Sequence, residues 1–477
     1  MTNKNGQQPN VSFPLLVTTV ALGGILAPLN STMLVVALPE IRRSLDIGHA
    51  EIGWLVSAYL IAMAVAQPLG GRLGDQLGRA RVFQGGLMMF LLLSVAAAFS
   101  PTFEVLIVLR TGQALVGAAV IPNGMAMMRE SVPIDRLGRS NGLTGSAISL
   151  SAAVGPLIGA GLLAAGSWRL LFLMNVPLVL AALVSLTLLR YPMTGERRRL
   201  ELDWAGAGVF AVLLGAVTVL LNSLQGGESA VVVGLGVIGL VVFTIVFVQR
   251  QRSTATPIAE WGLFRNRSYA AATSYILLAN LVMYTTLLTV PFFIEEVQGY
   301  GSGRTGLLLG SMSILMAVLA PLSGRVSDAQ GRRLPAMVGA TIMVCGVAAL
   351  VMGISADVSF GYLAVSLAAV GLGLGLSFGA AQTAAVESAP RELAGAAAGA
   401  NSMMRYLGSI VGAGVLGAVL STDGGAPDVG MFRLIYIVLL VMAALAAATT
   451  LLIHRFPAEA EEMISAPAAV PEVVGRG

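Results

Sequence analysis

The sequence predicts an all-α polytopic membrane protein: two repeated six-helix halves plus two inserted linker helices, with fourteen transmembrane helices in all. Three observations carry this. The 477 residues are 56% hydrophobic and only 11% charged, with a mean hydropathy of +0.84, which a soluble chain of this length does not tolerate on its surface. Fourteen apolar stretches follow one another, each near the roughly 20 residues that a helix needs to cross hydrocarbon. The third observation is a repeat. Gly71 to Arg81 returns 253 positions later as Gly324 to Leu334, and Gly71, Asp75, Gly78 and Arg79 fall on Gly324, Asp328, Gly331 and Arg332 without a gap.

The same offset carries Gly142, Gly155, Gly159 and Gly161 onto Gly395, Gly408, Gly412 and Gly414, so the duplication spans most of each half. The stretches fall at about 13–39, 51–71, 82–100, 104–127, 140–165, 168–190, 204–224, 230–249, 269–296, 304–326, 334–354, 359–385, 395–420 and 431–455. The first is too long for the core of a signal peptide and carries Pro28 and Asn30, so it reads as an uncleaved helix. The first six make one half (13–190) and the last six the other (268–455). The seventh and eighth are an insertion within 191–267, because the offset maps the loop after the second stretch onto the loop after the tenth. Arg197, Arg198 and Arg199 lead into that pair, and short tails, 1–12 and 456–477, flank the whole. The single cysteine, Cys345, lies in an apolar run and excludes an intramolecular disulfide.

Charge placement sets an orientation. With the N-terminus cytoplasmic, most of the 28 Lys and Arg fall on cytoplasmic loops and tails. Arg42, Arg43, Arg169, Arg304 and Arg433 fall outside and Arg110 within a span; the opposite topology inverts the bias. Both termini are therefore expected inside. The net charge of +4 is dispersed between spans, which argues against a nucleic-acid surface. No Gly-x-x-x-x-Gly-Lys-Ser/Thr loop is present to cradle ATP, and no catalytic constellation appears. His49 and His454 sit at opposite sides, so no metal site is expected. Parallel repeats of membrane helices are a mark of secondary transporters, with the substrate held between the halves. The expected partners are the lipid bilayer, a small-molecule substrate and protons, with the chain acting as a monomer.

The loop Gly71-x-Leu-x-Asp75-x-x-Gly78-Arg79 resembles the loop signature of the major facilitator superfamily. Leu29-Asn30-Ser31-Thr32-Met33-Leu34-Val35-Val36-Ala37-Leu38-Pro39 is similar to the first-helix motif of its fourteen-helix drug:proton antiporter branch. Leu109 to Gly117 resembles that branch's helix-4 motif, Gly155-Pro156-Leu157-Ile158-Gly159-Ala160-Gly161 its helix-5 antiporter motif, and Trp168 to Pro177 the start of its sixth helix. The resemblance covers about residues 14–455. It implies a bacterial inner-membrane protein of the multidrug efflux type, working by alternating access. It also implies export of hydrophobic or amphipathic, often cationic, compounds against proton entry, with the proton gradient as drive and no cofactor. One departure matters. Members commonly carry an aspartate where this chain has Asn30, and an amide cannot exchange a proton near neutral pH. A dedicated exporter of one metabolite, lipid or siderophore, an uncoupled facilitator, or a receptor that has lost transport therefore stay open as alternatives.

Within this frame the residues suggest roles. Gly71, Asp75, Gly78 and Arg79, with their copies Gly324, Asp328, Gly331 and Arg332, read either as a charged conformational latch or as arginines that only enforce topology. Gly155, Pro156, Gly159 and Gly161 read as a pliable seal against the other half or as ordinary small-residue packing. Arg110 lies about 9 Å into its helix at 1.5 Å per residue, where a cation is expensive and points to function; the alternative is a snorkelling arginine. Gln113 shares its face, and Asn30 lies at a depth suited to a hydrogen bond with Arg110. Asn280, Tyr284 and Glu295 share one face of the ninth stretch. Gln382, Asn401 and Arg405 are further cavity candidates. Glu295 and Arg110 are the candidates for proton coupling, because no other acid lies well within the spans of the first half. Glu295 also reads as a plain interfacial carboxylate.

Overall fold

The computed structural model describes residues 12–132, 134–192, 204–223, 230–253, 261–390, 394–420 and 428–454. The 1–11 and 455–477 tails, Arg197 to Arg199 and the side chain of Asp328 lie outside them. Among the described residues the regular structure is helical throughout. The first half comprises α1 (Phe13–Val35), α2 (Leu38–Leu45), α3 (His49–Leu77), α4 (Arg79–Ala98), α5 (Phe103–Ser131), α6 (Ile134–Ala164), α7 (Arg169–Leu173) and α8 (Asn175–Leu189). Then come α9 (Trp204–Ser223) and α10 (Ala230–Ser253). The second half comprises α11 (Arg267–Phe292), α12 (Ser302–Gln330), α13 (Arg333–Gly353), α14 (Phe360–Glu387), α15 (Ala394–Leu420) and α16 (Val429–Thr450).

Nine of these helices, and α7 and α8 taken together, are long and apolar enough to cross a membrane, and shorter apolar stretches lie in α6, α9 and α10. Successive long helices run in alternate directions. Asp75, Ser131, Tyr191, Ser268 and Ser388 consequently share one face, where Ser131 and Tyr191 hydroxyls lie 2.9 Å apart and Ser388 Oγ donates to Ser268 Oγ at 3.0 Å. Arg42 and Glu296 mark the opposite face. Two expected single helices are broken. The stretch 13–39 bends after Val35, and Pro39 sits in the first turn of α2, where its missing N–H is not needed. The stretch 168–190 splits at Met174 into α7 and α8.

The repeat is visible in the backbone. Gly78 closes α3 at φ +97° and Gly331 closes α12 at φ +89°, a region that a side chain rarely tolerates. Each half also packs its fifth long helix onto its first through glycine. A Cβ on Gly159 of α6 would sit 2.5 Å from the Met33 carbonyl oxygen of α1. One on Gly408 of α15 would sit 2.0 Å from the Leu277 carbonyl oxygen of α11. Such distances mean that the backbones touch directly.

The halves meet where α6 packs on α12 and where α3 packs on α15. At the first seam the receiving glycines belong to the second half. A Cβ on Gly306 would come within 2.1 Å of Ala160, and one on Gly310 within 2.5 Å of Leu157. Gly155 and Gly159 instead face α1 in their own half. The seam therefore presents α6 through Leu157 and Ala160, because the motif's glycines are turned away from it. Helices α9 and α10 pack on each other, with Phe210 and Phe247 stacked at 5.1 Å, and α9 rests on α3 and α15.

Gly159→Ala should lower stability by about 1–3 kcal/mol through forced separation of two backbones. Gly161→Ala, whose added Cβ meets nothing within 4 Å, should leave it unchanged. Thermal unfolding in detergent checks the contrast, and equal midpoints for the two variants would contradict it.

Candidate functional site

Tyr284 of α11 donates its hydroxyl to Ser31 Oγ of α1 at 3.1 Å. These residues are separated in sequence by 253, the offset of the repeat, so each is the other's copy. A position can touch its own copy only close to the axis that relates the two halves. Toward the Arg42 face the same axis is straddled by charge. Arg42 Nη2 lies 2.7 Å from Glu296 Oε1, and Arg43 Nη2 lies 2.7 Å from Glu295 Oε2. The offset carries Arg42 onto Glu295 and Arg43 onto Glu296, so each arginine meets the copy of its neighbour. The Glu295 and Glu296 side chains are only 6% and 13% exposed, so breaking either pair by removing its arginine would leave a largely buried carboxylate without its partner.

The short helix α2 that presents both arginines is held in place by the Trp168-Arg169 motif. The Trp168 backbone N–H donates to Glu40 Oε1 at 3.2 Å and its indole N–H donates to Ser44 Oγ at 2.8 Å, while the Arg169 guanidinium lies over the indole. An indole N–H is a donor without an acceptor role, so a buried Trp here fixes one hydroxyl and one helix orientation.

Between the Ser31–Tyr284 contact and the Asp75 face lies a cavity of about 200 Å³. Ser31, Tyr59, Asn280, Tyr284, Gln382, Arg405 and Tyr406 supply its polar and aromatic groups, and Met63, Met283, Met316 and Phe378 its apolar wall. Gln382 lies five residues before the end of α14 at Glu387, about 7.5 Å at 1.5 Å per residue, so the cavity extends well toward the Asp75 face. Among the described residues no lining residue comes from α9 or α10. Of the sequence candidates, Asn280, Tyr284, Gln382 and Arg405 line the cavity together. Asn30, Gln113 and Asn401 are buried but are not among the lining residues. Glu295 lies elsewhere, bordering a separate hollow on the Arg42 face with Glu40, Arg43 and Tyr300.

Arg110 is 1% exposed and stands behind the wall. Its guanidinium donates through Nη2 to the Asn30 backbone carbonyl at 3.1 Å and through Nη1 to Gln113 Oε1 at 3.3 Å. The expected contact with Asn30 exists, but it is made to the backbone, and the Asn30 Nδ2 is left without a partner. Gln113 in turn donates to Ser94 Oγ at 2.7 Å. The guanidinium carbon lies over the Tyr59 ring, 3.9 Å from its centroid, and Tyr59 also borders the cavity.

At the Asp75 face the repeated loops are clamped within their own halves. Arg79 reaches Asp75 at 2.9 Å and Glu130 at 2.9 Å, tying the α3–α4 junction to the end of α5. Its copy Arg332 grips Glu387 through two bonds of 2.9 and 2.8 Å, tying the α12–α13 junction to the end of α14. Gly71 and Gly324 sit in the last two turns of α3 and α12. Three groups escaped the sequence reading: Tyr59, Tyr406 and the crossed charge pairs. The pairs had a signal, since the offset sets two arginines against two glutamates. Tyr59 and Tyr406 had none, because an aromatic residue in an apolar run looks like packing.

The model of the Major Facilitator Superfamily matches residues 20–413, and the chain belongs to that family. It is a multi-pass membrane protein and a transporter, not an enzyme. The chain is 32% identical over 405 residues to YvkA of Bacillus subtilis, described as an uncharacterised MFS-type transporter, covering 85% of this chain and 90% of that protein. It is 31% identical over 410 residues to the multidrug resistance protein Stp of Mycobacterium tuberculosis (85% and 76%). It is 29% identical over 420 residues to the tetracenomycin C resistance and export protein of Streptomyces glaucescens (87% and 77%). Among solved structures a D-xylose–proton symporter superposes with a TM-score of 0.65 at 15% identity, covering 94% of this chain and 98% of that one, which speaks for the fold alone.

Arg110→Lys keeps the charge but has no planar fork to bond Gln113 and Asn30 together while resting over Tyr59. It should cost about 1–2 kcal/mol of stability, read as a lower unfolding midpoint in detergent. An unchanged midpoint would mean that the planar fork contributes nothing.

Proposed function

We propose that this protein is a secondary active exporter of amphipathic small molecules, driven by proton entry and working by alternating access in a bacterial cytoplasmic membrane. The supporting observation is the cavity on the repeat axis, with inter-half ion pairs on one side of it and ion-pair clamps within each half on the other. In this reading the chain has fourteen spans, α9 and α10 are an inserted peripheral pair, and the Asp75 face with both termini is cytoplasmic. The likeness to relatives named for multidrug resistance and for tetracenomycin C export favours efflux over uptake. No cofactor is invoked, and one chain is the working unit.

Proton coupling is assigned to Glu295. Protonation removes the charge that Arg43 pairs with, weakening closure of the Arg42 face; deprotonation restores the pair and closes it. Proton binding and opening on that side are then the same event. A second reading, an uncoupled facilitator, is favoured by one observation: no carboxylate lines the cavity among the described residues, and Asn30 is an amide.

Reconstitution in liposomes with and without an imposed pH gradient separates the two. The exporter should concentrate a fluorescent amphipathic probe against its gradient only when ΔpH is present. Glu295→Gln should remove that dependence while probe binding is retained. If parent and variant accumulate probe equally under the same gradient, Glu295 is an interfacial acid and coupling lies elsewhere.

A further inference from the structure

We propose that the cavity selects amphipathic organic anions, an aromatic or otherwise apolar body carrying a single carboxylate or phenolate, and discriminates against cations of the same shape. The inference rests on the reading of this cavity as the site of the transported molecule.

Charge balance carries it. Among the described residues the lining contains one formal charge, the Arg405 guanidinium, and no acid. Arg405 stacks at 5.3 Å from the Tyr406 ring centroid and makes no ion pair with any described carboxylate. A second cation stands one ring away. Arg110 is buried, its described hydrogen-bond partners are the neutral Gln113 side chain and the Asn30 carbonyl, and it lies against Tyr59, which borders the cavity. Neutral dipoles orient toward a guanidinium but do not cancel its charge. Two uncompensated positive charges in surroundings of low dielectric constant leave the space between them at positive potential.

A ligand anion supplies the missing counter-charge and gives the planar fork of Arg405 two parallel acceptors. A ligand cation adds a third like charge beside the other two, which is discrimination by repulsion. The repeat shows that the charge is specific to one half: the offset places Ala152 opposite Arg405, and both line the cavity. The anionic end therefore lies against α15 and the apolar body against the Met63, Met283 and Met316 side of the wall.

The test is equilibrium binding to the purified full-length protein in detergent, using three probes of one shape: 2-naphthoate, 2-naphthalenemethanol and 2-naphthylmethylammonium. The expected order of affinity is anion, neutral, cation, with at least about tenfold between first and last. Arg405→Gln should weaken naphthoate about tenfold and leave the alcohol within about twofold, whereas Arg405→Lys should keep part of the preference. Gln382→Glu, which places an acid in the same cavity on an already exposed side chain, should reverse the order of anion and cation. Unchanged alcohol binding serves as the check that each variant is folded.

Equal affinities for anion and cation, or an anion-to-alcohol ratio unmoved by Arg405→Gln, overturn the proposal whatever the transport assay gives. Arg405-dependent naphthoate binding without movement in liposomes upholds the charge preference and overturns the export reading instead.

Discussion

The contact between Ser31 and Tyr284 fixes the geometry of everything else in this molecule. The repeat makes the two positions equivalent, and equivalent positions meet only on the axis that relates them. That single hydrogen bond places the axis between α1 and α11, and therefore places the cavity, the seam and the charge pairs. The crossed pattern at the Arg42 face follows at once. Residues on the axis meet their own copies, and residues beside it meet the copies of their neighbours, which is how Arg42 finds Glu296 and Arg43 finds Glu295. Opposite charges at equivalent positions turn what would be a like-charge clash in an exact duplication into two attractive pairs.

The glycines divide the molecule into backbone-to-backbone contacts and contacts made through side chains. Gly159 against Met33 and Gly408 against Leu277 are contacts between backbones, with no side chain between them to rotate or compress. Such a contact keeps its register or breaks, because close-packed interiors are not continuously deformable. Each half is therefore stiff along its α1–α6 or α11–α15 line. At the seam between halves, Leu157 and Ala160 slot onto Gly306 and Gly310, where one partner is a side chain and the surface is shallow. In the proposed alternating-access cycle, relative motion of the halves is placed there.

Much of this was legible in the sequence, and the parts that were not have physical reasons. The helical spans follow from hydrocarbon thickness alone, and the loop glycines from the positive φ that Gly78 and Gly331 adopt. Asn280, Tyr284, Gln382 and Arg405 could be picked out because a polar group in an apolar run needs a reason to be there. The same rule cannot tell a polar group facing the cavity from one facing a neighbouring helix, and Asn30, Gln113 and Asn401 are of the second kind among the described residues. Nor does it report aromatic residues. Tyr59 earned no mention as a sequence letter, yet it lies under Arg110 and borders the cavity. The role of Glu295 changed meaning for a related reason: its helix face was legible, but its partner, Arg43, comes from a segment 252 residues away.

The burial of Arg110 explains why an aromatic ring and not an acid stands beside it. A carboxylate partner would neutralise the guanidinium and hold it by a directional pair whose strength changes whenever either group is hydrated. A ring face and two neutral acceptors hold it more weakly but without cancelling its charge, so its field persists through Tyr59 into the cavity. In such an arrangement the cost of keeping a desolvated cation is offset only partly by the protein, and the remainder is available to whatever enters with negative charge. The closed pairs at the Arg42 face stand in contrast, since there Arg42 and Arg43 each have an acid to offset their charge. Paired charges hold the halves together, and unpaired charges sit where the cavity is.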